Sequence, residues 1–321
     1  MRILVAGATG AVGRYLVPAL VAAGHSVIGT TRSEAKADIV RRLGAEVVVA
    51  DGLDAEGMRA AVIAAKPEMV IHQMTDLAAT DLRHFDRSFA RTNELRTRGT
   101  DILLAAARDA GARRFIAQSF CGWSFSRTGG AVKTEADELD PHPPQELRRT
   151  LDAIRYLERS VTASAMPEGI VLRYGFFYGP GTGMLSPEMI GELRHRRVPV
   201  IGRGGGTWSF IHTEDAASAT LAAVDRGRAG SIYNIVDDHP AQVEEWLPAL
   251  AEMLGAKAPR HIPAWLGRLL AGEHMVAMMT EVRGASNDKA KRELGWLPAH
   301  ASWRDGFADA LRQPTSHRSA A

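Results

Sequence analysis

"RILVAGATGAVGRYLVPALVAAGH", residues 2–25, joins a short apolar run to a glycine-rich turn and then to a helical pattern. The run at 2–6 has the length and the β-branched content of a buried strand. Gly7 permits a tight turn, Gly10 lets backbone N–H groups approach a pyrophosphate, and Gly13 allows close packing of helix on strand. Because the turn follows a strand and opens a helix, whose N-terminus stabilises an anion, it predicts a dinucleotide site.

Further apolar runs of strand length alternate with helical patterns along the chain. Runs that are buried on both faces and separated by helices indicate a parallel sheet. Right-handed crossovers between them give an α/β fold, a Rossmann-type doubly wound parallel sheet. These runs lie at 25–30, 45–51, 68–74, 113–119, 169–175 and 231–237.

The regular alternation ends after residue 176, where glycine-rich turns, prolines and helical segments with several Met and Trp residues follow. Loops of this kind suit the mouth of a cleft. We therefore expect a smaller C-terminal substrate-binding lobe beside the dinucleotide-binding domain. The predicted division is a Rossmann domain at 1–176 that is completed by about 208–237, a lobe at 177–207 and 238–311, and a flexible tail at 312–321.

Composition and charge argue against several classes of protein. Hydrophobic residues make up 45% and charged residues 24% of the 321 residues, as in an ordinary globular chain. The net charge of +2 gives no long-range field for nucleic acid or an anionic membrane, so the expected partner is a small-molecule substrate. The basic run Arg194–Arg197 is the exception, and a solvated helix face explains it better than a substrate phosphate site does.

Cysteine and histidine usage bear on compartment and on metals. Cys121 is the single cysteine, which excludes an internal disulfide and fits a reducing compartment. The eleven histidines include no HxxxH pair, so no metal site is predicted. Residues 1–10 show no signal-peptide pattern, and no window reaches the ~18 apolar residues of a membrane span, so we expect a cytoplasmic protein.

The end of the second predicted strand indicates which dinucleotide binds. A site for NAD(H) presents Asp or Glu there to the ribose 2′-OH, whereas residues 29–34 read GTTRSE. Arg32 and Ser33 offer a cation and a hydroxyl to a 2′-phosphate, so NADP(H) is favoured over NAD(H). Arg14 is a candidate second clamp, and Asp51 suits the adenine amino group. The alternative is that Arg32 is only a surface loop residue.

Together, these motifs resemble those of the extended or atypical short-chain dehydrogenase/reductase family, also called the NAD-dependent epimerase/dehydratase family. The matching stretches include GATGAVG at 7–13, VIHQM at 70–74, VLRYGFFYGPG at 171–181 and SFIHTEDAASA at 209–219. The resemblance implies that the cofactor also contacts Thr9, Ala11, Val12, Gly52, Leu53, Gln73, Met74, Thr75, Ser119, Tyr174, Gly175 and Phe176.

The catalytic pair of that family is missing here. Its members use a Tyr-x-x-x-Lys pair one helical turn apart, in which the lysine lowers the pKa of the proton-transferring tyrosine. Alignment of Glu158 with a glutamate common in the family puts Thr150 at the tyrosine position and Ile154 at the lysine position. Tyr156 has Ser160 as its i+4 partner, so it is predicted to have a structural role.

The serine element of the family is also altered. QSFCGW at 118–123 keeps Ser119 but places Phe120 where a second serine is common. Ser119 and Thr150 are candidates to hydrogen-bond a substrate carbonyl, and Tyr178 is the best phenolic proton donor, so these three form the predicted catalytic set. Other candidates, for which structural roles are favoured, are Lys133, His72 and His212.

The sequence therefore predicts NADPH-dependent reduction of a carbonyl on a hydrophobic or aromatic small molecule. A phenol on the substrate itself could supply the proton, as in the polyketide ketoreductases of the family that lack the tyrosine, such as the simocyclinone ketoreductase. One alternative is a nucleotide-sugar epimerase or dehydratase that binds a diphosphate at Arg194–Arg197. Another is a redox-silent NADP-binding regulator, similar to the fungal nitrogen-repression regulators. A homodimer is one option for its assembly, which the sequence leaves open.

Overall fold

The central element is a seven-stranded sheet, seen in a computed structural model that describes residues 1–77 and 84–312. The strands of this sheet and of the smaller sheets around it are β1 (Arg2–Ala6), β2 (Ser26–Thr31), β3 (Glu46–Val49), β4 (Met69–His72), β5 (Arg114–Phe120), β6 (Val132–Lys133), β7 (Glu168–Tyr174), β8 (Phe176–Tyr178), β9 (Val200–Ile201), β10 (Thr207–Trp208), β11 (Phe210–His212), β12 (Ile232–Ile235), β13 (Ala241–Gln242), β14 (His261–Ile262) and β15 (Gly284–Ala285).

The strand order of the large sheet is β12-β7-β5-β4-β1-β2-β3, and every neighbouring pair is parallel. All seven runs that the sequence marks as buried strands form this sheet, so the predicted Rossmann-type fold is confirmed. The order reverses between β1 and β4. In open sheets of this kind, ligands bind outside the carboxyl ends of the strands at the reversal, so the topology itself marks the candidate site.

Helices cover both faces of the sheet. Their bounds are α1 (Gly13–Ala22), α2 (Ala37–Arg42), α3 (Ala55–Ala65), α4 (Phe85–Glu94), α5 (Thr100–Asp109), α6 (Gln145–Thr162), α7 (Pro187–Arg194), α8 (Thr213–Arg226), α9 (Val243–Met253), α10 (Ala264–Ala271), α11 (Glu273–Thr280), α12 (Asp288–Leu294) and α13 (Trp303–Arg312). A 3₁₀ turn spans Glu34–Lys36, and a π-helical turn spans Leu95–Gly99.

The apolar faces of these helices form two cores, one on each side of the sheet. On one side α1, α8 and α12 pack around residues such as Leu16 and Ile211. On the other side α3, α5 and α6 pack around residues such as Val62 and Leu157. The sheet is therefore buried on both faces, which is why its strands read as continuous apolar runs.

A third core lies beyond the carboxyl edge of the sheet and joins the segments predicted as the lobe to the segment 208–210. It is rich in aromatic side chains, including Trp208, Phe210, Trp246 and Phe307. The helix α6 contributes to two cores. The first half of its buried face packs in this third core, and the second half packs in the core beside the sheet. The site between sheet and lobe is thus bounded by one continuous helix.

The C-terminal boundary differs slightly from the predicted one. Residue 312 is the last residue of α13, and residues 313–321 of the predicted flexible tail lie outside the described residues. Among the residues that the structure describes, no helix is long and apolar enough to cross a membrane.

Candidate functional site

The glycine-rich turn lies against the end of β4. Gly7 has φ +94°, and a Cβ atom there would lie 2.7 Å from the carbonyl oxygen of Gln73. A Cβ on Gly13 would lie 2.5 Å from the carbonyl oxygen of Ala8, and the N–H of Gly10 donates to the Gly7 oxygen at 3.1 Å. Only glycine fits at Gly7 and Gly13, because the contacted atoms are backbone. The turn therefore brings α1 close to the sheet, with the helix N-terminus at the switch point.

At the end of β2, Arg32 takes part in a network of charged side chains. Its guanidinium forms two hydrogen bonds with Asp76, at 3.1 and 3.2 Å. Arg91, from α4, lies 2.8 Å from Asp51 and 3.4 Å from Asp76. The hydrogen bond and charge of Asp76 raise the pKa of Arg32. Burial acts to raise the pKa of Asp51, but the N–H of Leu53 and the cation of Arg91 together hold it below its usual value.

Other residues predicted to contact the cofactor pack around this network. Gly52 lies against Met74, whose sulfur would be 2.4 Å from a Cβ at position 52. The Nε of Arg14 donates to the carbonyl oxygen of Thr9 at 3.3 Å, so this exposed side chain lies along the glycine-rich turn. Arg32 and Asp51 were predicted from the sequence, whereas Asp76 and Arg91 were not. The position of Asp76 shortly after β4 was the signal in the sequence that could have indicated its place in this network.

The strand β7 ends at the buried Tyr174, which Gly175 separates from the half-buried Phe176 of β8. The hydroxyl of Tyr174 contacts Thr220 at 2.6 Å and accepts a hydrogen bond from Gln73 at 3.1 Å. Burial raises the pKa of Tyr174 to about 12. Next to it, a Cβ on Gly175 would lie 2.5 Å from the carbonyl oxygen of Ser209, so the backbones pass very close together there. Tyr174 is thus held in the core by hydrogen bonds, beside the predicted cofactor site.

An aromatic wall stands at the carboxyl ends of β5 and β7. Phe176 stacks on Trp208 with ring centroids 3.9 Å apart, and Phe120 meets Phe176 edge-on at 5.4 Å. Trp123 lies 6.0 Å from Phe120 and 5.8 Å from Phe85 of α4. Phe120 is the residue that replaces the second serine, so an apolar ring stands where the family places a hydroxyl.

Ser119 points to a buried ion pair. Its hydroxyl donates to Glu158 at 2.7 Å, and Arg173 donates to both oxygens of the same carboxylate at 2.7 and 2.6 Å. All three side chains are buried. Nearby Arg96 is buried as well, and burial lowers its pKa to about 10 although the charge of Glu158 opposes this. The Ser119 hydroxyl is therefore committed to holding α6 against the sheet.

On α6, the positions aligned with the catalytic pair hold an alcohol and an alkyl group. The Oγ1 of Thr150 accepts a hydrogen bond from the Nδ2 of Asn93 at 3.0 Å, and Ile154 is fully buried. No described residue hydrogen-bonds the buried Oδ1 of Asn93. The hydroxyl of Tyr156 donates to Asp101 at 2.7 Å on the outer side of the helix, and this bond raises the pKa of the phenol. Tyr156 has the structural position expected from the sequence.

Tyr178 lies in the core of the lobe. Its ring meets Phe307 of α13 edge-on at 5.0 Å and lies 5.3 Å from His212. Its side chain is fully buried, and none of the described residues hydrogen-bonds its hydroxyl. Burial raises the pKa of Tyr178, and the negative charges of Asp237 and Asp215 add to this. In this position the phenol faces the aromatic core of the lobe, whereas the motif predicted that it would face the cleft.

The remaining proton-transfer candidates have structural partners. Lys133 is buried with its ammonium 3.2 Å from Asp137. The Nδ1 of His72 accepts the N–H of Met74 at 3.2 Å, and its Nε2 lies 3.2 Å from the carbonyl oxygen of Leu95. Burial lowers the pKa of His72 to about 4, so the ring is neutral. The core role favoured for His72 from sequence agrees with this geometry.

Three possible metal-ligating side chains meet at the N-terminus of α8. The available ligand atoms of His212, Glu214 and His300 all lie within 4.8 Å of one another. His212, however, uses Nδ1 to accept the Glu214 N–H, which caps the helix, and His300 contacts Asp215 at 2.9 Å. Burial and the neighbouring His300 lower the pKa of His212 to about 4. The group meets only in the folded chain, so sequence spacing gave no sign of it.

Comparison with known proteins places the site in an evolutionary context. A model of the NAD dependent epimerase/dehydratase family matches residues 3–236. A 3-diazoavenalumate denitrifying reductase from Streptomyces sp is 43% identical over 96% of this chain and 99% of that protein. A 4-hydroxy-2-methyl-3-oxo-4-farnesyl-3,4-dihydroquinoline-1-oxide ketoreductase from Stigmatella aurantiaca is 30% identical, over 98% of this chain and 96% of that protein. The UDP-glucose 4-epimerase of Thermotoga maritima shares the fold, with TM-score 0.76, 23% identity and 97% coverage of both chains.

Proposed function

Because the chain belongs to the NAD dependent epimerase/dehydratase family, we propose a function within that chemistry: NADP(H)-dependent reduction of an aromatic small molecule. As an oxidoreductase of the extended short-chain dehydrogenase/reductase type, it is related to reductases that act on small molecules. The observation that carries the proposal is the loss of the catalytic pair. Thr150 and Ile154 stand where the family has tyrosine and lysine, while the dinucleotide turn is intact.

The residues at the switch point fit a dinucleotide phosphate. The backbone of Gly10 and the N-terminus of α1 suit the pyrophosphate, and Arg32 suits a 2′-phosphate, which favours NADP(H) over NAD(H). When bound, this cofactor supplies a hydride.

The aromatic wall supports an aromatic substrate. Phe176, Trp208 and Phe120 already pack in stacked and edge-on geometry, and a further ring can join them with the same preferences. Thr150 and Asn93 are the polar groups on the α6 side, and the Thr150 hydroxyl can orient a substrate oxygen or nitrogen. Neither group is acidic enough to donate a proton readily at neutral pH.

A ketone needs both a hydride and a proton, because the alkoxide product must be protonated. With Tyr178 buried and Ser119 bound to Glu158, none of the described residues of this site is an evident proton donor. A phenol carried by the substrate can supply it, which keeps the predicted carbonyl reduction chemically complete. The ketoreductase relative favours this acceptor.

A second acceptor, an aromatic diazo group, is favoured by the missing acid and by the denitrifying reductase relative. An aryl diazonium ion is already cationic. Addition of a hydride to its terminal nitrogen gives a neutral aryl diazene, which loses N₂ and leaves a new C–H bond. Charge and atoms balance without a proton from the protein, so this reaction does not require the tyrosine.

The test measures NADPH oxidation at about 340 nm with hydroxyaryl ketones, hydroxyaryl diazonium salts and UDP-glucose, with the rate without protein subtracted. We expect oxidation with one of the aromatic classes, accompanied by N₂ release if the acceptor is the diazonium. Thr150→Val should lower kcat by about tenfold, as expected for the loss of one orienting hydrogen bond. Conversion of UDP-glucose would instead favour the epimerase alternative, and tight NADP binding without turnover of any acceptor would favour the redox-silent regulator.

A further inference from the structure

Two arginines converge on one carboxylate between the ends of β2 and β4. Nη1 of Arg32 lies 3.1 Å from Oδ2 of Asp76, and Nε of Arg91 lies 3.4 Å from the same oxygen. The two guanidinium groups come from distant parts of the chain, one from the segment after β2 and the other from α4. An anionic oxygen therefore sits between two cations beside the carboxyl end of β2.

One of the two arginines has an N–H group without a hydrogen bond. Nη2 of Arg91 donates to both carboxylate oxygens of Asp51, at 3.1 and 2.8 Å. Its Nε is buried, and among the described residues no group accepts a hydrogen bond from it; Asp76 gives only the longer ion-pair contact. A buried donor without a partner is costly, and a better-placed anion would satisfy it.

We propose that Asp76 occupies the seat of the cofactor's 2′-phosphate, and that Arg91 binds this phosphate together with Arg32 once the carboxylate is displaced. The inference rests on the proposed NADP(H) dependence. Ribose 2′ substituents are recognised at the end of the second strand in this fold, which is where Arg32 lies. A phosphate offers three acceptor oxygens, so it can satisfy both guanidinium groups where the carboxylate satisfies one.

The same arrangement discriminates against a cofactor that lacks the 2′-phosphate. Arg32, Arg91, Asp51 and Asp76 carry two positive and two negative charges, so their network is balanced when Asp76 stays in place. A ribose hydroxyl gains little from arginines that are already paired. A phosphate dianion, with a charge of about −1.5 to −2, competes effectively with a single carboxylate. Asp76 thus acts as an internal competitor that a phosphate can displace and a ribose hydroxyl cannot.

The experiment compares 2′,5′-ADP with 5′-AMP by isothermal titration calorimetry, because the two probes differ only in the 2′-phosphate and need no turnover. Arg91→Gln should weaken 2′,5′-ADP about tenfold, the loss expected for one charge-assisted hydrogen bond, and change 5′-AMP less than about twofold. Asp76→Asn should tighten 2′,5′-ADP about threefold by removing the competitor. The matched control is Arg59→Gln, which removes an exposed arginine paired with Asp109 on α5 and should change neither affinity.

Each contrary result has a separate meaning. Equal weakening of both probes by Arg91→Gln would overturn the inference, because Arg91 would then act only by positioning Asp51. Weaker 5′-AMP binding in Asp76→Asn would also overturn it, since Asp76 would then bind the ribose hydroxyls. If the unmodified protein showed no preference for 2′,5′-ADP, the proposed NADP(H) dependence would itself fail. A clear preference that survives Arg91→Gln unchanged would remove this inference alone.

Discussion

The dinucleotide end and the reaction end of the candidate site differ in how closely they match the family's motifs. At the dinucleotide end, Gly7 and Gly13 meet backbone atoms so closely that only glycine fits, and the turn keeps the form that the family requires. At the reaction end, Phe120, Thr150 and Ile154 stand at the positions where the sequence comparison predicts the family's proton-transfer residues. From this comparison we predict that cofactor binding and acid catalysis are separable here. Substitutions at the two ends and in the core around them test that separation.

The largest effect is expected for the buried carboxylate below the reaction end. Glu158→Gln leaves Arg173 as a buried cation without its ion-pair partner, which should reduce the free energy of unfolding by about 3–5 kcal/mol. Urea denaturation followed by circular dichroism measures this change. Arg155→Gln serves as the control, because it removes a half-exposed arginine of the same helix that pairs with Asp152. A loss in Glu158→Gln of less than about 1 kcal/mol would show that the cluster is not structural.

The next prediction concerns the dinucleotide end. Gly7→Ala places a Cβ 2.7 Å from the Gln73 carbonyl oxygen at a backbone φ of +94°, so the turn must shift. A cost of about 3 kcal/mol corresponds to NADPH binding that is about 100-fold weaker by calorimetry. Gly24→Ala is the matched control, since Gly24 also has positive φ but meets no atom within 4 Å of the added Cβ. Unchanged affinity in Gly7→Ala would contradict the assignment of this turn to the cofactor.

Sequence patterns predicted the strands and the glycine-rich turn better than the contacts between distant side chains, for a physical reason. Strand periodicity and the glycine spacing around Gly10 are local signals, and local signals identified all seven strands and the turn. The pairing of Glu158 with Arg173 joins α6 to β7. The pairing of Asp76 with Arg91 joins the segment after β4 to α4. Side-chain meetings of this kind depend on tertiary geometry, which no spacing rule contains.

The environment of Tyr178 differs from the one that its motif predicted. The segment around it forms the cleft in related enzymes, which made its phenol the best proton donor from sequence. In the structure the residue ends the short strand β8, which pairs with β11, and its ring enters the aromatic core against α13. Successive side chains of a strand point to opposite faces. An error of one residue in assigning these faces therefore places in the cleft a side chain that belongs to the core.

A third prediction addresses a buried carboxyl group that follows β12. Burial raises the pKa of Asp237 to about 8, although its hydrogen bond from the His239 N–H opposes this. The unfolded carboxyl group has a pKa of about 3.9, so between these values the folded protein holds a proton that the unfolded chain has lost. The free energy of unfolding should therefore fall as pH rises through this window, by about 2 kcal/mol between roughly pH 6 and pH 8.

Asp237→Asn removes the titrating group, so its free energy of unfolding should change less with pH across the same window. Urea denaturation at a series of pH values measures both proteins. Asp238→Asn is the comparison, because that exposed residue contacts Asn287 and Lys291 and its charge contributes less than burial does to the raised pKa of Asp237. Parallel pH profiles for the unmodified protein and Asp237→Asn would contradict the raised pKa.

The smallest effect is expected for the phenol that the sequence favoured as proton donor. The hydroxyl of Tyr178 is buried, and within the described chain it has no hydrogen-bond partner, so Tyr178→Phe removes an unsatisfied polar group. The free energy of unfolding should stay constant or rise by about 1 kcal/mol, and kcat with the aromatic acceptor should change less than about twofold. A fall in kcat of about 100-fold with the fold intact would mean that the lobe opens to bring this phenol to the substrate. The reaction end would then contain a relocated acid, and its contrast with the dinucleotide end would lie in the position of the proton donor rather than in its loss.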